Sequence, residues 1–376
     1  MKKNNFDCLV IGLGGMGSSA LYELQSRGLK TLGLEQFTIP HERGSSHGLS
    51  RIIRLAYFEH PSYIPLLKRS YEKWTNLEKY SDQKLFHQTG SIDASRPEDR
   101  IFQGSLRSCE TFDLDHQILT SSELQKRFPG YELPLDFKAV YQPQGGFLIP
   151  ETCIETYIKE AKRLGATIKE ETKVTSLEKD PQGVRVVTNL GEVFYAKKAV
   201  LTAGAWTGQL YSQLKVHLQP VRQVMGWFQT NPEVKFEPDT FPVFNLGLGQ
   251  DHFYGFPSFK QTGLKIGKWQ HLNQWVQPDK VDTTISEQDE DVLRNCLKAC
   301  FPQGNGALLK AKTCLFTNTP DEHFLIHQDS TLPLVSGSGF SGHGFKFCSV
   351  IGEILADLIL NGETTHDIRL FSKDRF

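Results

Sequence analysis

Val10-Ile11-Gly12-Leu13-Gly14-Gly15-Met16-Gly17 decides how this chain begins to fold. The run carries a Gly-x-Gly-x-x-Gly spacing directly after an apolar stretch, Cys8 to Ile11, and opens a helical pattern from Met16 to Arg27. Gly12 permits the tight turn, Gly14 lets the backbone approach a pyrophosphate, and Gly17 allows the helix to pack closely on the strand. The helix then starts with unpaired N–H groups facing the phosphate charge. A second apolar stretch, Thr31 to Leu34, ends in Glu35, 18 residues after Gly17, where a carboxylate accepts hydrogen bonds from a ribose. Three glycines in a turn are common. The strand before, the helix after and the acid at the end of the next strand make this a dinucleotide-binding βαβ unit. Glu35 repels a 2′-phosphate, but the motif does not separate a nicotinamide from a flavin dinucleotide.

Outside this unit the chain is ordinary for a globular protein, and its 376 residues suit two domains. Lys and Arg nearly balance Asp and Glu, for a net charge of -1, which gives no general reason to expect nucleic acid or an acidic membrane as partner. No apolar run reaches the roughly 20 residues needed to span a bilayer. The stretch after Met1-Lys2-Lys3 breaks at the glycine turn rather than at a small-residue cleavage site, so a cytoplasmic protein is expected. Seven scattered cysteines make no disulfide framework. Cys296 and Cys300 lie one helical turn apart without further ligands at zinc spacing, and no metal is expected.

Helical periodicity recurs over Pro61 to Leu77, Glu151 to Leu164, Ser286 to Cys300 and Lys346 to Leu360, the last stopped by Asn361-Gly362. Strand patterns cover Thr167 to Leu177, Val184 to Thr188, Val193 to Thr202, Val224 to Thr230, Phe253 to Phe256, Leu264 to Gly267 and Leu332 to Ser336. The fold class is α/β. Residues 1–84, 146–218 and 320–376 are read as a discontinuous cofactor domain, and residues 85–145 and 219–319 as a substrate domain built on an antiparallel sheet.

Three further segments narrow the redox end. Gly44-Ser45-Ser46-His47-Gly48 is followed by Arg51 and Arg54, Lys312-Thr313-Cys314-Leu315-Phe316-Thr317 lies later, and Gly339-Phe340-Ser341-Gly342-His343-Gly344-Phe345-Lys346 closes the set. In these, in this order and over essentially its whole length, the chain resembles the monomeric sarcosine oxidase family. That family includes N-methyltryptophan oxidase and the peroxisomal sarcosine and pipecolate oxidases. The resemblance implies a Rossmann-like FAD domain of the glutathione-reductase/D-amino-acid-oxidase type and an FAD-dependent oxidase of secondary (N-methyl, N-alkyl or cyclic) amino acids. Such an enzyme uses O2, releases hydrogen peroxide and is a monomer.

Residue by residue, the resemblance implies FAD joined through a thioether to Cys314, with Ser45, Val174, Gly342 and Gly344 as further cofactor contacts. It places the substrate carboxylate on Arg54 and Lys346. Arg51 and Lys265 flank the flavin ring as positive charges, His343 lies in the glycine run that passes near the flavin, and Tyr254 stands on the substrate side. The competing readings are an inert Cys314, an outward Lys265 and a surface pair of Arg54 with Glu59. Two positions depart from the family pattern. Trp269 stands where many members have histidine, and Phe316 where some have tyrosine. Both changes make the pocket less polar, so a substrate larger than sarcosine, or cyclic, is expected. A dehydrogenase using another acceptor and a flavin-binding protein without turnover are the alternatives.

Overall fold

A computed structural model describes residues 5–376; the N-terminal residues used to argue against a signal segment, and the start of the first domain segment, lie partly outside the described residues. Strand β1 (Asn5–Ile11) is buried from Cys8 to Ile11, as a central parallel strand must be, with Cys8, Leu9 and Val10 fully inaccessible. Helix α1 (Gly15–Ser26) follows, and β2 (Thr31–Leu34) returns parallel to β1 with Ile11 opposite Leu34. On the other side β1 pairs in parallel with Val193–Leu201. That long strand carries antiparallel Gly183–Thr188 on its first half and parallel Leu334–Ser338 on its second. One eight-stranded sheet therefore gathers segments from the start, middle and end of the chain. Helices Pro150–Arg163 and Cys348–Asn361 pack against α1.

The stretch expected as one strand from Thr167 to Leu177 is two. Thr167–Lys169 pairs with β2, and Val174–Asp180 pairs with Gly183–Thr188. Between them Glu171 takes a left-handed backbone, and the amide of Thr172 donates to the Glu35 carbonyl at 2.7 Å. The interruption lies directly beside the acid of the βαβ unit. The last strand runs over Leu334–Ser338 rather than Leu332 to Ser336, straight into the glycine run, and the final α-helix opens at Cys348 behind a 3-10 turn at Phe345–Phe347.

The second sheet has nine strands and is mostly antiparallel. Its spine is Gln219–Phe228, flanked by Leu264–Lys268 and by Leu308–Asn318, so Lys265 faces Trp227 in register and Cys314 faces Gln223. The spine starts earlier than the expected Val224 and ends at Phe228. Beyond the sheet, helix Glu287–Cys300 is closed at its start by a reciprocal pair of bonds: Ser286 accepts from the Asp289 amide, and Asp289 accepts from the Ser286 amide. A small third sheet joins Arg51–Ile53, Gly146–Leu148 and Phe86–Gln88, setting Arg51 at the seam of the two large sheets.

Candidate active site

The glycine turn is built as its spacing requires. Gly12 has φ +88°, and a Cβ there would lie 2.7 Å from the Thr202 carbonyl oxygen. A Cβ on Gly17 would come within 1.8 Å of the Gly12 carbonyl oxygen, so helix and turn touch only because that hydrogen is all Gly17 has. Gly14 is different: an added Cβ would meet only Ser46 Oγ at 3.9 Å. Gly14 lines a cavity, and this open side is the room a pyrophosphate needs. Glu35 is buried, and its two oxygens accept from the amides of Leu13 (2.7 Å) and Phe37 (3.1 Å). Burial raises its pKa, and those amides pull it back.

A cavity of about 380 Å³ runs from this turn past Glu35, Ser45 and Val174 to Phe316, Gly342, Gly344 and Phe345. Ser46, His41, Thr202 and Trp206 also line it, and motif reading did not single them out. The cradle of glycines, the ribose-side carboxylate and the lining that continues to Gly342 and Phe345 fit a dinucleotide.

A second chamber, about 60 Å³, shares Arg51, Phe316, Gly342 and Phe345 with the first as walls. Arg54, Lys346, His343, Tyr254 and Trp269 complete it, together with Glu59, Asn245 and His252. The structure thus brings the proposed substrate-side residues into one space at the end of the dinucleotide cavity. Lys346 donates to the His343 carbonyl at 2.8 Å and has donors left over. Burial takes its pKa down to about 7; Arg54 acts in the same direction and Glu59 against it.

Arg54 is paired with Glu59, but in the interior rather than on a surface. Its Nη2 lies 3.0 Å and 3.2 Å from the Glu59 oxygens, its Nε is 3.4 Å from Asp93, and only 2% of it is exposed. Burial opposes the Glu59 charge, and Arg54 nonetheless carries that carboxyl down to about 2. Asp93 in turn accepts from Ser105 and Asn245, each at 2.7 Å. Arg51 and Arg54, joined by Lys346 in its protonated form, thus meet two carboxylates, Glu59 and Asp93. The surplus positive charge is the complement of a monocarboxylate.

His343 has both ring nitrogens occupied. The Glu322 carbonyl, 2.9 Å from Nε2, can only accept, so Nε2 carries the proton and Nδ1 accepts from the Tyr57 hydroxyl at 2.6 Å. Burial lowers its pKa to about 4, which keeps it neutral at ordinary pH.

Lys265 points inward. Its ammonium donates to the carbonyls of Gly48 (2.7 Å) and Ser50 (2.9 Å) and to Ser50 Oγ (3.0 Å), and burial holds its pKa well below that of a free lysine. Cys314 is buried among Met225, Trp227 and Phe316. Burial raises its thiol pKa, while Arg51 and Lys265 pull it down. Neither Lys265 nor Cys314 is a wall of the two cavities; Leu315, Phe316 and Thr317, next to Cys314, are. Tyr57, Glu322 and Asn245 had no role in the sequence reading, since only the folded chain puts them against His343 and Asp93. Among the described residues no His, Cys, Asp and Glu cluster suits a metal ion.

A dinucleotide cavity ending at a small, cation-rich chamber defines a redox enzyme acting on a carboxylate-bearing molecule. The chain belongs to the FAD-dependent oxidoreductase family, whose model matches residues 7–358. It is 39% identical over 376 residues to the monomeric sarcosine oxidase of Streptomyces avermitilis, covering 98% of this chain and 97% of the relative. It is 34% identical to the N-methyl-L-tryptophan oxidase of Yersinia pestis, covering 99% of this chain and all of the relative. In fold it resembles the open form of NikD, an amino acid oxidase of nikkomycin biosynthesis, with TM-score 0.85, 23% identity and 98% of both chains covered.

Proposed function

We propose that this protein oxidises secondary amino acids (N-methyl, N-alkyl or cyclic) at the C–N bond, giving an imine that water hydrolyses, and passes the two electrons to O2 as hydrogen peroxide. The observation that carries the reading is the chamber of surplus positive charge, which shares four walls with the dinucleotide cavity. The names of the two relatives support it. FAD, when bound, supplies the two-electron acceptor that O2 reoxidises. Lys346 binds the substrate carboxylate through its spare donors, and Arg54, locked on Glu59, adds fixed charge behind it. Tyr254 and Trp269 confine the amine end. With no lone pair free, His343 braces the glycine run rather than accepting the amine proton. Lys265 and Arg51 supply positive charge beneath the seam of the sheets, where reduction and O2 chemistry build negative charge.

The same reading includes a thioether from Cys314 to the flavin. The sulfur and a ring methyl carbon each lose one hydrogen, which O2 takes up as hydrogen peroxide. Support comes from the two cations acting on the thiol. The partition of the chain into FAD and substrate domains at the boundaries given above belongs to the reading too. So do a monomeric state and a cytoplasmic location, the latter supported by seven free, buried cysteines. No helix among the described residues is long and apolar enough to cross a membrane.

The test is a panel of N-methyl, N-alkyl and cyclic amino acids, followed by peroxide release and anaerobic flavin bleaching. Bleaching and peroxide with at least one member is the expected result. Bleaching without O2 uptake points to a dehydrogenase, and no bleaching overturns the enzyme reading.

A further inference from the structure

Trp269 is one of four residues that border two spaces. On one side lies the small chamber with Lys346 and His343; on the other lies an outer cavity of about 410 Å³ lined by Phe58, Asp251, Glu322 and His323. Glu59, His252 and His343 are the other residues that border both. The inner chamber's 60 Å³ is the space of a few water molecules, enough for the head of an amino acid and not for a bulky substituent.

The backbone at Trp269 is pinned. Its amide donates to the His252 carbonyl at 2.7 Å, and two residues on His271 is buried with Nε2 2.9 Å from Asp289. Between them the chain turns through Gln270, with φ +58°. The side chain is held more lightly. Its indole N–H makes one polar contact, 3.2 Å to Glu322 Oε1, and shares that oxygen with Gln270 Nε2 at 3.0 Å. Among the described residues Glu322 has no cationic partner, unlike Asp251 with Lys268 and Asp321 with Arg375 at the same cavity. The ring stacks on His252 at 5.7 Å, tilts against Phe316 and His343, and stays partly accessible.

We propose that Trp269 is a swinging partition latched by Glu322, and that it sets substrate size. Closed, it admits only the smallest secondary amino acids. Rotated about its side-chain bonds, it joins the chamber to the outer cavity, where the substituent of a bulky N-methyl amino acid lies. The inference rests on the proposed oxidase function.

The test compares FAD-loaded wild type with Trp269→Ala, Trp269→Phe (ring kept, latch lost) and Glu322→Gln (charge lost), using sarcosine and N-methyl-L-phenylalanine. The kcat/KM ratio of the bulky to the small substrate should rise at least tenfold in Trp269→Ala and several-fold in Trp269→Phe and Glu322→Gln, carried by KM. Binding of acetate and 3-phenylpropionate, which lack the amine, should change in the same order when read by protein fluorescence. Ratios within twofold of wild type in all the folded variants overturn the partition while leaving the oxidase reading intact. If wild type bleaches with no secondary amino acid, the oxidase reading fails and the partition with it.

Discussion

At pH 7 the Lys346 ammonium sits near its midpoint, because burial has brought its pKa to about 7. Raising the pH removes the charge, so affinity for a simple carboxylate inhibitor should fall, by up to about tenfold per pH unit above 7. In Lys346→Gln that slope should vanish, with affinity at pH 6 lower by roughly 10- to 100-fold, the worth of one charged hydrogen bond. Inhibition constants across pH 6 to 9 check both. The sign for stability is opposite to that of a favourable ion pair. The folded pKa lies below the ordinary 10.5, so the charging penalty is full below pH 7 and is relieved as pH rises from 7 towards 10.5. The sequence placed Lys346 and Arg54 in the site through the family motifs. It offered an Arg54–Glu59 pair only as a surface contact, and it did not show that the pair is buried or that Asp93 also holds Arg54, because that last contact joins residues 39 positions apart (93 minus 54).

Helix α1 and its glycine turn give a prediction at the scale of the element, since two glycines of one motif do different work. Gly14→Ala meets nothing closer than 3.9 Å and should fold with an unchanged circular dichroism spectrum and melting temperature, yet bind FAD at least about tenfold more weakly, a loss of about 1.4 kcal/mol. Gly17→Ala drives a Cβ into the Gly12 carbonyl and should cost on the order of 1–3 kcal/mol of stability as well as the cofactor. Melting curves with and without FAD separate the two. Helix Glu287–Cys300 depends on Asp289, which binds Arg222 at 2.8 Å and 3.0 Å, caps the helix through Ser286 and meets His271. Asp289→Ala strands a buried guanidinium and should lose about 3–5 kcal/mol in urea unfolding. Against burial, Arg222 and Ser286 hold the Asp289 pKa below the carboxylate range. Its stabilisation is therefore present above the ordinary aspartate pKa and lost as pH falls through the lowered folded value. Element boundaries failed where tertiary contacts intervened. Thr167 to Leu177 has unbroken strand character, but Glu171 and Thr172 turn aside to meet Phe37 and Glu35.

For the whole molecule, the seven cysteines give a single readout, because all are free and buried. None should react quickly with a thiol reagent in the native state. After denaturation without reductant, six should titrate if Cys314 is in a thioether, the seven minus that one, and all seven if it is not. Cys314→Ser should then release a flavin that wild type retains through denaturation. The active-site spaces are themselves a property of the whole: their walls come from the first sixty residues, Ile154, the 172–175 and 202–210 segments, the 245–269 strands and turn, and the 315–348 run.

By itself the sequence determined the βαβ unit, its dinucleotide and the redox family. The first two rest on backbone freedom at Gly12, the lack of a side chain at Gly14 and Gly17 and the acid at Glu35; the family rests on the resemblance carried by three segments spread along the chain. Only the tertiary structure decided that Arg54 is locked by two carboxylates, that His343 has no free nitrogen, that Lys265 points inward, and that Trp269 borders two cavities. Burial and charge pairing depend on what the remote chain brings alongside, and no short spacing encodes that.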